Sequence, residues 1–194
     1  MNKKKIILGL FSILVVVQII VPVSMIMKRE DTLRNGTRYL FRTKPVDPYD
    51  AFRGRYVALG FEQDAFPQTD TAHWVHGQYA YAILKKDEHG FATIDQLTHE
   101  PAGDDTYIKV KTWGVWDNKV HLRFPFDRYY MEETHAPQAE KAYRDHSQRE
   151  EKDAYVSIRV KNGFAVLEEL YIAGMPIIEF LENNKGKGSV TSNK

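Results

Sequence analysis

The chain is predicted to fold as a mainly β (α+β) protein: an antiparallel barrel or sandwich with one inserted charged helix, preceded by a single N-terminal transmembrane helix. Three observations predict this. An uncharged run of 22 residues, Ile6–Met27, stands near the start. From residue 38 onward, short segments rich in aromatic and β-branched types alternate with turn residues. A single stretch, 137–153, carries charges at helical spacing.

The first element is the apolar run. At 1.5 Å per residue it makes roughly 33 Å of helix, enough for a hydrocarbon core of about 30 Å. A cleaved signal peptide competes with this reading, but the run exceeds an ordinary h-region and no Ala-x-Ala pattern follows it. Three lysines precede the run and only Lys28-Arg29 follow closely. The positive-inside rule then places residues 1–5 in the cytoplasm and the rest outside a bacterial cytoplasmic membrane, single-pass. Residues 28–37 read as a polar juxtamembrane linker, 38–181 as the β-rich extracytoplasmic domain and 182–194, with no apolar periodicity, as a disordered tail.

Within the domain, "RYLFRT", the breaker "KPVDP" and "YVALGF" read as strand, turn, strand. "QYAYAILKK" and "FATIDQL" form a hairpin across Asp87-Glu88-His89-Gly90. In "YIKVKTW", Ile108, Val110 and Thr112 share one face and Lys109 and Lys111 the other; in "VHLRF", Val120, Leu122 and Phe124 oppose His121 and Arg123. The helix begins at Pro137, with Glu140/Arg144 and Asp145/Arg149 pairs and a thin stripe of Ala139, Ala142, Tyr143 and His146, suited to an exposed helix against a sheet edge. In the last hairpin, Asn162-Gly163 is a type I′ turn pair, which sets Val160 opposite Ala165 and Ile158 opposite Leu167. About eight strands are expected.

Composition excludes several chemistries. With no cysteine there are no disulfides, thiolate sites or Cys nucleophiles. All five basic residues of the first 29 lie at the membrane end, and the remainder holds 22 basic against 26 acidic residues, a net −4. Such a balance disfavours nucleic acid, whose affinity rests on clustered Lys and Arg. His73 and His76 in "HWVH" sit in a loop without a companion carboxylate, and His135 and His146 straddle the start of the helix, so no metal is expected. Glu132-Glu133 and Glu168-Glu169 are adjacent pairs whose members face apart in a strand, which makes poor acid/base dyads. No cofactor motif is present, and with no coherent catalytic constellation the leading expectation is a non-enzymatic accessory or interaction module of the bacterial cell envelope, with enzyme activity left open.

One order of residues is similar to type I signal peptidases: "SM" at Ser24-Met25, "RGRYV" from Arg53 and "YIKVKTWG" from Tyr107. That resemblance would make Ser24 the nucleophile and Lys109 its base, giving a membrane-bound serine hydrolase as an alternative function. Ser24 lies inside the apolar run, however, and the Gly-Asp expected after the lysine strand is missing.

"DPYDAFRGRYVALGF" carries a broader resemblance. Asp47, Pro48, Arg53, Gly54, Arg55, Tyr56, Leu59 and Phe61 follow the motif Gly-Asp-Tyr-x-x-Leu-x-Tyr with its flank, with Arg55 in place of Asp and Phe61 in place of Tyr. "RFPFDRYYMEE", the helix after it and "IRVKNGFAVLEELYIAGMPI" extend the match. In these blocks the chain resembles the membrane-anchored family named for that motif, GDYXXLXY. The resemblance implies an uncharacterised bacterial membrane-anchored protein with no assigned activity, and a polytopic membrane protein as partner beside the bilayer itself. Physically, Pro48 shapes a turn, Gly54 takes a conformation forbidden to a β-carbon, and Val57, Leu59 and Phe61 face the core. Arg53 and Arg55 are expected to clasp Asp47 or Asp50. A third reading is an envelope ligand sensor using Tyr56, Trp113 and Trp116.

Overall fold

A computed structural model describes residues 3–46, 56–68, 73–101, 103, 106–148 and 153–188, the last four without their side chains. In chain order the elements are α1 (Lys3–Asn35), β1 (Thr37–Lys44), β2 (Tyr56–Ala58), β3 (Gly60–Phe61), β4 (Ala65–Pro67), β5 (Tyr79–Lys86), β6 (Ala92–Thr98), β7 (Tyr107–Trp116), β8 (Lys119–Arg123), β9 (Arg128–Tyr130), α2 (Ala136–Ser147), β10 (Ala154–Lys161), β11 (Phe164–Ile172), β12 (Met175–Pro176) and α3 (Ile177–Gly188).

Helix α1 is apolar all round from Ile6 to Met27, its most apolar window has a mean hydropathy of 2.9, and none of that window is buried in the protein. It is long and apolar enough to cross a membrane. The helix does not stop at the polar boundary. Residues 28–35, expected as a linker, are its last two turns, closed by Glu30–Arg34 at 3.0 Å and by Asn35 Nδ2 donating to Asp31 at 2.7 Å. Tertiary contacts hold these turns on the sheet. Thr32 is buried, Lys161 Nζ lies 2.8 Å from the Asp31 carboxylate, and Lys28 Nζ sits 4.5 Å over the Phe164 ring. Gly36 ends the helix, its N–H donating to the Thr32 carbonyl at 2.8 Å; a β-carbon there would run into the Thr32 and Val160 carbonyls.

One sheet has the order β12-β11-β10-β1-β3, a second β4-β8-β7-β5-β6, and β2 pairs β9 alone; every named pair is antiparallel. The two large sheets meet at parallel bridges, Leu40 with Phe91 and Ile108 with Gly163. Six strands, β11-β10-β1-β6-β5-β7, therefore nearly close a barrel. Its interior is filled by the alternating residues of each strand, among them Phe41, Ala82, Val110 and Ile158, all at most 1% exposed. Phe41, Val110 and Ile158 each contribute about 1.5–3 kcal/mol by leaving water.

The last large hairpin has the register its turn dictates. Asn162 and Gly163 have φ of 49° and 71°, with Val160 opposite Ala165 and Ile158 opposite Leu167. Asp117 and Asn118, at φ 53° and 55°, make the equivalent turn between β7 and β8. A third such turn, Ala173-Gly174, adds β12, a strand the sequence does not announce because alanine rarely takes positive φ. Among the described residues the sheet segments number twelve rather than eight, several of them only two or three residues long.

Helix α2 buries Ala139, Tyr143 and His146, as its stripe predicts, and keeps Glu140–Arg144 at 3.4 Å on the outside. Its Arg149 lies outside the described residues. Helix α3 corrects the expected tail: residues 182–188 continue a helix anchored by buried Ile177 and Leu181 at i,i+4 spacing. It packs on β11 and on α2, where the Phe180 and His146 rings are 5.1 Å apart.

Candidate functional site

The described part of the motif divides at Leu59. Tyr56–Ala58 pair with β9 and Gly60-Phe61 pair with β1, while the Leu59 N–H between them donates to the Asp127 carbonyl at 3.0 Å. What reads as one strand is two because its halves have different partners. Val57, Leu59 and Phe61 still face the core, at 0%, 5% and 4% exposure. Phe61 meets Phe41, Phe124 and Phe126 edge-on with ring centroids 5.2–6.0 Å apart, so the phenylalanine in place of tyrosine belongs to a packed four-ring cluster.

The other family blocks converge on the same place. Tyr143 of α2 donates its hydroxyl to the Lys44 carbonyl at 2.7 Å and accepts from the Gly60 N–H at 3.3 Å. A β-carbon on Gly60 would lie 2.8 Å from Val46 Cγ2, which explains a glycine under that hydroxyl. Tyr129 donates to Glu169 of β11 at 2.6 Å. Burial pushes both phenols above their ordinary pKa, and for Tyr129 the neighbouring Glu169 carboxylate adds to the effect. Tyr56 packs on Tyr130, centroids 5.6 Å apart, with the Arg128 guanidinium 5.0 Å from its ring. Thus motif, β9, α2 and β11 form one joint that ties a lone two-stranded ribbon to the barrel. Asp47, Pro48, Arg53, Gly54 and Arg55 lie outside the described residues, and so do the Pro48 turn, the Gly54 conformation and the expected clasp onto Asp47 or Asp50.

The Ser24 hydroxyl donates to the Val21 carbonyl at 2.7 Å within α1, and Lys109, exposed on β7, holds its ammonium 4.0 Å over the Tyr79 ring. No hydrogen bond joins the two in this arrangement. His73 and His76 are exposed, as a loop reading predicts; His76 Nδ1 lies 2.5 Å from the Trp113 carbonyl. His135 stands 3.6 Å from Glu132, and the buried His146 is 2.7 Å from Asp153. Among the described residues no group of three histidines or carboxylates is placed to hold a metal. Trp113 packs on His76 and Trp116 stacks on His121 at 3.5 Å, whereas Tyr56 has its own neighbours on β9. The three aromatic residues of the sensor reading are distributed over separate clusters.

A different feature is missed by the sequence reading. An open groove of about 400 Å³ runs between the end of α1, the β5–β7 ladder and the Asn162-Gly163 turn, lined by Lys28, Tyr79, Tyr81, Tyr107, Lys109 and Phe164. A second hollow of about 340 Å³ continues it past Tyr79 and Lys109 to Lys111, Arg123 and Asp127. Tyr79 pairs across the ladder with Lys111 and Tyr81 with Lys109, which explains the alternation of cations and phenols. The floor is fixed: Lys109 N–H donates to the Gly163 carbonyl at 3.1 Å, and the Tyr107 ring fills the space a β-carbon on Gly163 would need. Only the strand pairing brings these residues together, and that pairing was not legible in the chain order.

Neither the curated proteins nor the solved structures contain a match to this chain. The model of the family described as GDYXXLXY protein matches residues 18–170, from the second half of α1 to the end of the joint on β11. That span covers most of the chain and takes in all the blocks that meet around Tyr143 and Phe61, so the chain belongs to the GDYXXLXY family.

Proposed function

We propose that this protein is a non-enzymatic accessory module of the bacterial cell envelope. One helix holds it in the cytoplasmic membrane, N-terminus inside and β-rich domain outside, beside a polytopic membrane protein. The observation that carries the reading is the continuity of α1. The helix passes without a break from its apolar run into contacts with β10 and β11, through Thr32, Asp31–Lys161 and Lys28 over Phe164. A domain mounted this stiffly keeps one height and one orientation, which suits docking against a neighbour in the same membrane. The apolar surface of α1 is free on every side to meet that neighbour's helices.

Crosslinking in intact membranes followed by purification tests the proposal. One polytopic protein should be recovered with the chain, and its recovery should fall when residues 6–27 are replaced by an unrelated apolar span. Recovery of the chain alone would defeat the reading. Tag-accessibility mapping tests the topology separately, and a C-terminus reached only from the cytoplasm would overturn the orientation.

A further inference from the structure

We infer that the groove beside the end of α1 binds the phosphate of an anionic phospholipid headgroup. The inference rests on α1 being the membrane anchor and names a ligand for the membrane-facing end of the module.

Three lysines define the site: Lys28 from α1, and Lys109 and Lys111 from β7. Each ammonium lies near an aromatic face, Lys28 4.5 Å from the Phe164 centroid and Lys109 and Lys111 4.0 and 5.1 Å from that of Tyr79. Among the described residues none of the three has a carboxylate within ion-pair distance, whereas Lys44, Lys85 and Lys161 each do. Among the described residues of the walls Asp127 is the one carboxylate, and it is engaged by Arg123 at 3.3 Å and Arg128 at 3.8 Å. The described walls of the groove therefore carry an unneutralised positive charge in a domain whose overall balance is acidic. An anion is the complementary ligand.

Position selects which anion. Lys28 is the first charged residue after the apolar run, so its ammonium stands where the hydrocarbon ends and the headgroups begin. Tyr79, Tyr81 and Tyr107 around it are residues of the kind that settle at that boundary. A phospholipid can place its phosphate beside Lys28 and Lys109, which line the same hollow, with Lys111 adding its charge from the adjoining one, while its chains stay in the bilayer along α1. A macromolecular anion would have to descend to the membrane surface to do so. Lysine suits the task because it meets phosphate as a point charge from several directions.

The test uses the full chain in nanodiscs of phosphatidylcholine, with or without phosphatidylglycerol, and reads retained lipid by native mass spectrometry. The parent should retain one phosphatidylglycerol in preference to phosphatidylcholine. Lys109→Gln with Lys111→Gln should weaken that retention roughly fivefold per charge, about 25-fold together. Lys28→Gln should weaken it in the same sense, and Lys141→Gln, on the exposed face of α2, should leave it unchanged. Equal retention of both lipids, or an equal effect of Lys141→Gln and the double variant, would overturn the assignment. If inorganic phosphate binds in phosphatidylcholine nanodiscs with the same lysine dependence, the ligand is a free phosphoanion and the lipid assignment fails. Because no partner protein is present, a negative result leaves the accessory reading standing, and loss of the crosslinked partner leaves this one standing.

Discussion

Replacing Tyr143 by phenylalanine removes one oxygen atom from the joint and keeps the ring. The hydroxyl serves two backbone groups at once, the Lys44 carbonyl at 2.7 Å and the Gly60 N–H at 3.3 Å, at the point where Lys44 and Gly60 face each other across β1 and β3. Tyr143 is 3% exposed, so water does not readily replace the lost group on its side. A net hydrogen bond is worth about 1 kcal/mol, and a buried partner left unmet costs about 1–3 kcal/mol. The 3.3 Å contact is the weaker of the two, and Lys44 itself is only half-buried, which together place the loss at about 1.5–3 kcal/mol. For a chain of this size each kcal/mol moves the midpoint by about 2–4 °C, so thermal unfolding in detergent should shift downward by about 3–12 °C. Circular dichroism of the full chain measures it. A Tyr143→Phe midpoint indistinguishable from the parent's would mean that the hydroxyl does not hold β3 to β1, and the account of the joint would be wrong.

Other outcomes follow from the same packing. Phe61→Ala should cost about 3–5 kcal/mol, since it empties the middle of the four-ring cluster, and a denaturant midpoint near the parent's would refute that placement. Gly36→Val should loosen the mount without unfolding the barrel; spin labels on α1 and α2 should then give a broadened distance distribution, and an unchanged one would count against a rigid junction. Alkali should destabilise the protein: the folded chain holds the Tyr129 and Tyr143 protons more tightly than the unfolded chain, so stability is level below the ordinary phenol value of 10 and falls as pH rises past it. Tyr129→Phe should lessen that fall, and equal slopes for parent and variant would refute the attribution. At the acid end, Asp87 is held below its ordinary 3.8 by the Arg42 hydrogen bond first, so its contribution is present above that pH and lost below it; Arg42→Gln should flatten the acid limb of the unfolding curve.

The parts of the fold legible in the sequence are those set by local periodicity or by a residue with one conformational role. Alternation in β7 and β8 gives the correct buried faces, and Asn162-Gly163 gives both the turn and its register. The helix ends are less legible. Residues 28–35 look like a linker because their helicity is completed by Lys161 and Phe164, more than a hundred residues away. Residues 182–188 look like a tail because the apolar residues that anchor α3, Ile177, Ile178, Phe180 and Leu181, all precede them. In the candidate sites, Phe61 is placed correctly by alternation, but its partners Phe124 and Phe126 belong to a distant block. The groove escapes altogether, since Lys109 and Tyr79 become neighbours only when β5 and β7 pair.

The uninterrupted α1 also sets a rotational phase. Along a helix the face carrying Lys28 repeats at Ser24, Val21 and Val17, so in the proposed membrane setting these residues continue the groove's side of α1 into the apolar run. One residue inserted between Met27 and Gly36 would lift the domain by about 1.5 Å and swing it through about 100°. In the proposed arrangement the helix acts as a shaft as well as a tether, and the heading of the domain is set by the side of the shaft that a neighbour grips.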